Sequence, residues 1–107
     1  MSTFDDFIHD VESSVTSIAA TQAGAFAAQA RADGQAFVDA LKTDLQTWTQ
    51  EVAAGTLAPA DFEFLVRGKA DLAKMNALTA AGMAAVAIDQ LRSSIITAIV
   101  TAAGKLI

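Results

Sequence analysis

Bulky apolar residues recur every eleven positions through the first half of the chain. One row contains Phe4, Val15, Phe26, Phe37 and Trp48, and a parallel row contains Ile8, Ala19, Ala30, Leu41 and Val52. Three turns of α-helix take about eleven residues, so side chains with this spacing lie on one face of a straight or weakly right-handed helix. No proline precedes Pro59, and Gly24 and Gly34 are the only breaker-type residues inside the pattern. The pattern therefore predicts one unbroken helix over residues 3–54, about 75 Å long.

The second half reads as another helix. Gly55 suits the carboxyl end of the first helix, residues 56–58 make a short connection, and Pro59 fits the first position of a new helix. No segment alternates with period two over a useful length, so no strand is predicted. We therefore expect a second helix over residues 59–104, in an all-α fold that forms a single domain over residues 1–107.

Small residues predict how the two helices meet. A short connection makes them antiparallel neighbours, and alanines spaced by four let helix backbones approach closely. The two alanine ladders are Ala28, Ala32, Ala36 and Ala40 in the first half, and Ala73, Ala77, Ala81 and Ala85 in the second. The register that sets the ladders face to face also sets opposite charges together: Asp39 with Lys74, Lys42 with Asp71, and Asp44 with Lys69. The sequence thus predicts a long antiparallel hairpin with an alanine seam.

If alanines fill the seam, the bulky side chains need another surface to cover them. A second copy of the hairpin is the simplest cover, and burial of each large apolar side chain contributes about 1.5 to 3 kcal/mol. We therefore expect hendecad-like packing into a multi-helix bundle or larger assembly. The expected interface consists of Phe4, Val15, Phe26, Phe37, Leu41, Leu45, Trp48, Ile95 and Ile99. A closed dimer and an open filament remain alternatives, because the sequence does not fix the symmetry of the contact.

The last third of the chain is poor in charge. From position 75 onward its charged side chains are Asp89, Arg92 and Lys105. Asp89 and Arg92 are three residues apart, so they can pair on one helix face. This pair is either a salt bridge at the rim of the apolar face or a buried pair that fixes the register between subunits.

A membrane is the alternative destination for this apolar third. The uncharged runs 75–88 and 93–104 are each shorter than the ~18 residues of a spanning helix, which disfavours a single transmembrane segment. Surface-bound amphipathic helices usually carry lysine and arginine on the polar face, whereas this segment offers serine and threonine. The composition allows one form of membrane insertion, in which several hairpins insert together as an oligomer with their apolar faces outward.

Composition and charge exclude several classes of protein. Hydrophobic residues make up 53% of the chain and charged residues 18%, with a formal net charge of −5 and no dense basic cluster, which argues against nucleic-acid binding. The chain has no cysteine, so it has neither disulfides nor thiolate metal ligands. The first ten residues carry three aspartates and no lysine or arginine, unlike a Sec-type signal peptide. We therefore expect a cytoplasmic location or export by another route.

The sequence contains no recognisable catalytic or cofactor motif. His9 is the only histidine and stands among acidic residues near the amino terminus, where it is more typical of a solvated side chain than of a base or metal ligand. We expect no enzymatic activity, cofactor or metal site. The expected function is that of a self-associating structural or scaffolding protein, with a membrane-active hairpin and an adaptor for a different protein as alternatives.

Overall fold

The computed structural model describes residues 3–105, and within this range the chain forms five α-helices and no strand. The helices are α1 (Thr3–Gln22), α2 (Ala27–Ala54), α3 (Pro59–Gly68), α4 (Asn76–Ala81) and α5 (Ala85–Gly104). Short 3-10 turns occupy Gly24–Phe26 and Ala70–Leu72. The predicted all-α fold class is confirmed for the described residues.

The prediction of an unbroken helix over residues 3–54 is wrong, because the chain reverses at Gly24. Gly24 has a φ of 53°, in the left-handed region that glycine adopts without the steric penalty of a Cβ atom. Beyond this turn α2 runs back along α1, so that Gln35 Nε2 donates a hydrogen bond to Glu12 Oε2 at 2.8 Å. The two halves of the predicted helix are therefore antiparallel neighbours.

The predicted helix over residues 59–104 is interrupted twice, so its continuity is also wrong. After α3, the chain does not return to α-helical geometry before Asn76. Met75, the residue before α4, has a left-handed φ of 53°. Such a conformation costs of order 1 to 3 kcal/mol in a residue with a side chain, and burial of the Met75 side chain in the core offsets that cost. The second interruption lies at Gly82, which ends α4 before α5 begins.

The connection between α2 and α3 is as the sequence predicts. Gly55 follows the end of α2 in a left-handed conformation, and Pro59 is the first residue of α3. Of the three predicted charge pairs, Asp44 and Lys69 form an ion pair, with 3.7 Å between Oδ2 and Nζ. The other two predicted pairs, Asp39 with Lys74 and Lys42 with Asp71, are absent among the described residues. Asp71 and Lys74 lie well inside the segment between α3 and α4, where the predicted helix does not continue.

The bundle is built around α1, which lies antiparallel to both α2 and α5. Ser94 Oγ donates to Gln22 Oε1 at 3.0 Å near one end of α1, and Lys105 Nζ contacts Asp10 Oδ2 at 3.1 Å towards the other. Helix α3 packs mainly against α5, and α4 packs against α2. The largest fully buried side chains are Val11, Val15, Phe37, Val38, Leu41, Leu45, Phe62, Val66, Leu78, Leu91, Ile95 and Ile99.

These dimensions contradict the predicted hairpin of two long rods. The described chain measures 42 × 26 × 19 Å, so its longest extent is little more than half of the predicted 75 Å helix. Its radius of gyration of 13.6 Å is close to the ~13 Å expected of a compact domain of this length. Its accessible surface of 5764 Å² is close to the ~5,600 Å² expected of a folded monomer of this mass. The chain therefore has no excess surface of the kind that two rods would expose.

Helices α1, α2 and α5 approach one another closely at Gly34. A Cβ atom built on Gly34 would lie 2.7 Å from Val15 Cγ1 on α1 and 3.1 Å from Ile95 Cδ1 on α5. Gly34 therefore does not break the helical pattern, and instead leaves the space that two neighbouring helices fill.

The six-residue helix α4 is capped by a side chain from α2. The Asp33 carboxylate accepts a hydrogen bond from Ala77 N at 3.1 Å through Oδ1 and from Leu78 N at 2.8 Å through Oδ2. The residue before α4, Met75, provides no side-chain cap. The first amide groups of a helix have no hydrogen-bond partner within that helix. Asp33, on another helix, therefore supplies the N-terminal cap that Met75 does not provide.

We expect Gly34→Ala to lower the free energy of unfolding by about 1 to 2 kcal/mol, because overpacking outweighs the gain in helix propensity. The matched control is Gly104→Ala, a helical position with open space around its built Cβ atom, which should raise stability by at most about 1 kcal/mol. Urea denaturation followed by circular dichroism measures both. A Gly34→Ala variant as stable as the wild type would contradict the close approach of the three helices.

Candidate interaction surfaces

Most of the bulky side chains that were predicted to join subunits lie in the core of the single chain. Val15, Phe37, Leu41, Leu45, Ile95 and Ile99 are buried, and Phe4, Phe26 and Trp48 are partly buried against that core. The ring of Trp48 meets Phe62 of α3 edge to face, with 6.4 Å between ring centroids. The chain's own helices thus cover the surface that the sequence assigned to a second copy.

The alanines of the predicted seam are not brought together. Ala28, Ala32, Ala36 and Ala40 are exposed along one face of α2; Ala73 is buried, Ala77 is partly buried, and Ala81 and Ala85 are exposed. Burial of a phenylalanine or leucine side chain stabilises a fold more than burial of an alanine methyl group. The bulky face of α2 therefore turns inward and its alanine face turns to the surface.

Asp89 and Arg92 form an ion pair at the surface of α5, with 2.6 Å between Oδ1 and Nη1. The Asp89 side chain is 71% exposed and the Arg92 side chain 26%. Arg92 has a second contact, because its Nε and Nη2 atoms donate to the carbonyl oxygen of Ala73 at 3.1 and 3.0 Å. This side chain therefore holds the irregular segment before α4 against α5.

Within residues 3–105, three large apolar residues are exposed, and none of them belongs to the predicted interface. Phe64 is 77% exposed, Val86 69% and Leu72 42%. Helical spacing nevertheless separates Phe64 from its apolar neighbours, because Phe62 and Val66 are four residues apart and share one face of α3. A residue midway between them must point to the opposite side of the helix.

Charge is distributed unevenly along the bundle. Residues 13–30 and 75–88 contain no charged side chain. Because Ser94 lies beside Gln22 at the end of α1, the first residues of the antiparallel α5 extend towards the turn between α1 and α2. The two uncharged stretches therefore lie at the same end of the bundle, where Val86 is exposed.

A shallow groove of about 410 Å³ runs between α1 and α5. Its lining consists of Ser14, Ser17, Ile18, Gln22, Ser93, Ser94, Thr97 and Ala98. These hydroxyl and amide groups can donate and accept hydrogen bonds, but none of them is an acid or base that titrates near neutral pH. The groove therefore offers polar contacts to a ligand without a group suited to proton transfer.

Residues 3–105 contain no group of three or more histidine, aspartate or glutamate side chains close enough to hold a metal ion. His9 is exposed on α1 and borders an open surface groove together with Glu12. Within the same range, α5 is the one helix long and apolar enough to cross a membrane by length and composition, with a mean hydropathy of 1.3 and 33% of its window buried in the fold.

Comparison of the chain with protein-family models, with curated proteins and with solved structures finds no match. Its function must therefore be argued from its own residues.

We expect Arg92→Ala to lower the free energy of unfolding by about 1 to 3 kcal/mol, because it leaves a partly buried carbonyl oxygen without its donors. Asp89→Ala removes only the exposed partner of the ion pair and should cost less than about 1 kcal/mol. Chemical denaturation of the two variants measures the difference. Equal losses would contradict the role of Arg92 in holding the segment before α4.

Proposed function

We propose that the protein is a non-enzymatic helical protein that functions by self-association, as the structural or scaffolding subunit of a homo-oligomer. The observation that carries this proposal is the exposure of Phe64 at the surface of α3, in a chain that covers most of its other bulky side chains. Exposed aromatic side chains beside other apolar surface are typical of sites where proteins meet. Leu72 adds apolar surface just beyond the end of α3.

The proposed contact differs from the interface that the sequence predicts. The bulky residues of α1 and α2 already fill the core, so a second copy has little of their surface left to cover. Association must instead use the outward faces of the helices. A contact that uses the same surface on both copies closes as a dimer, whereas a contact between two different surfaces propagates as a filament.

We expect the weight-average mass in solution to rise above the 11.0 kDa of one chain as the protein concentration increases. Light scattering coupled to size-exclusion chromatography, with sedimentation equilibrium, measures the mass. A constant mass of one chain up to about 1 mM, where even weak dimers form, would contradict self-association.

Membrane association is the second candidate function, and the length and apolar character of α5 favour it. Residues in the core are needed to hold the bundle together, so α5 would have to leave its contacts with α1 and α3 to enter a bilayer. This candidate therefore requires the bundle to open, whereas self-association does not.

Flotation with liposomes tests the membrane candidate. If α5 enters the bilayer, the protein floats with the vesicles, and Thr97→Lys reduces that fraction, because Thr97 is an exposed α5 position and a lysine there adds charge to the inserting helix. Protein that stays at the bottom of the gradient with both neutral and anionic vesicles would contradict membrane insertion.

A further inference from the structure

We infer that α3 is a two-fold interface, in which α3 of one copy packs antiparallel against α3 of a second copy around Phe64. This inference rests on the proposed self-association and names the surface that performs it. Two-fold symmetry requires a self-complementary surface, because each residue meets its counterpart on the same patch of the second copy. The outward face of α3 meets this requirement in shape and in charge.

The shape of the face follows from the helical repeat. Phe62 and Val66 are fully buried and anchor α3 to the bundle, so Phe64, midway between them, points directly outward. Ala60 and Gly68 lie four residues before and after Phe64, and both are exposed. Phe64 therefore projects between two small residues. When two such helices pack antiparallel around Phe64, Ala60 of each copy lies level with Gly68 of the other, and these small residues leave room for the two aromatic rings between the helices.

The charges of α3 favour an antiparallel arrangement. Asp61 and Glu63 lie in its amino-terminal half, whereas Arg67 lies in its last turn and Lys69 directly follows it. A two-fold axis level with Phe64 places Asp61 of each copy level with Arg67 of the other, so the acidic first half of one α3 lies beside the basic end of the second. A parallel arrangement would instead set acidic residues against acidic residues, which destabilises helix pairs.

The existing contacts of these charges leave them able to pair across the interface. Arg67 Nε donates to Glu63 Oε2 at 2.8 Å within α3, and both side chains remain about half exposed. Lys69 contacts Asp44 of α2 at 3.7 Å and is also about half exposed. A second copy would therefore extend existing ion pairs into a network without burying an unpaired charge.

The size of α3 sets the expected strength of the contact. A ten-residue helix is about 15 Å long and offers less area than the ~800 Å² per partner of a standard interface. The contact should therefore be reversible and depend on concentration.

The test compares Phe64→Ser with Val86→Ser, which alters a comparably exposed apolar side chain on α5. In sedimentation equilibrium we expect Phe64→Ser to raise the dimer dissociation constant at least about tenfold, and Val86→Ser to change it by less than about twofold. Both positions are exposed, so the unfolding midpoint by circular dichroism should stay near that of the wild type and show that each variant is folded.

Disulfide trapping tests the orientation, and the absence of cysteine from the chain makes it specific. Ala60→Cys and Gly68→Cys proteins, one of them carrying a mass tag, are mixed and oxidised with copper phenanthroline. An antiparallel pair around Phe64 brings position 60 of one copy level with position 68 of the other, so in an equimolar mixture the mixed disulfide should exceed each homodisulfide by well over the twofold that random pairing gives.

The outcomes separate this inference from the proposed function. A wild-type protein that stays monomeric at every concentration overturns both. A wild-type protein that associates, while Phe64→Ser associates equally well, overturns the α3 interface and leaves self-association standing. A mixed disulfide no more than twice as abundant as either homodisulfide, with association lost in Phe64→Ser, overturns the antiparallel arrangement.

Discussion

The reversal of the chain at Gly24 folds the first half of the sequence onto itself, and the rest of the structure depends on it. The turn sets the bulky rows of α1 and α2 face to face, so that side chains from one sequence pattern cover one another. Helix α5 then completes the core against both, at the point where Gly34 leaves room for Val15 and Ile95. The smaller helices α3 and α4 close the outside of this three-helix arrangement.

Burial of a large apolar side chain stabilises the fold more than burial of an alanine does, and this difference decides which face of each helix points inward. A hairpin joined by alanines would leave several aromatic and leucine side chains in water, and burial of each contributes about 1.5 to 3 kcal/mol. The reversal buries them within one chain, without the loss of translational and rotational freedom that association costs. The exposed alanine face of α2 is the consequence.

The irregular segment between α3 and α4 is held by side chains that come from other helices. Arg92 of α5 binds the carbonyl oxygen of Ala73, and Asp33 of α2 caps the first amides of α4. These contacts, together with the buried Met75 side chain, stabilise a backbone conformation that the residues of the segment do not favour by themselves. Helix α3 itself is anchored by the buried Phe62 and Val66, which leave Phe64 facing outward.

The sequence by itself determined the all-α class and the positions of Gly55 and Pro59 at a helix boundary, because these features depend on short-range geometry. Helical spacing sets Phe64 opposite Phe62 and Val66, and the packing of α3 against α5 decided which of these two faces points inward. The sequence did not determine that Gly24 would reverse the chain while Gly34 would not, because both glycines stand in the same pattern of apolar spacing. Only the tertiary structure decided that the bulky rows cover one another within one chain, since that choice depends on the packing of α1, α2 and α5 together.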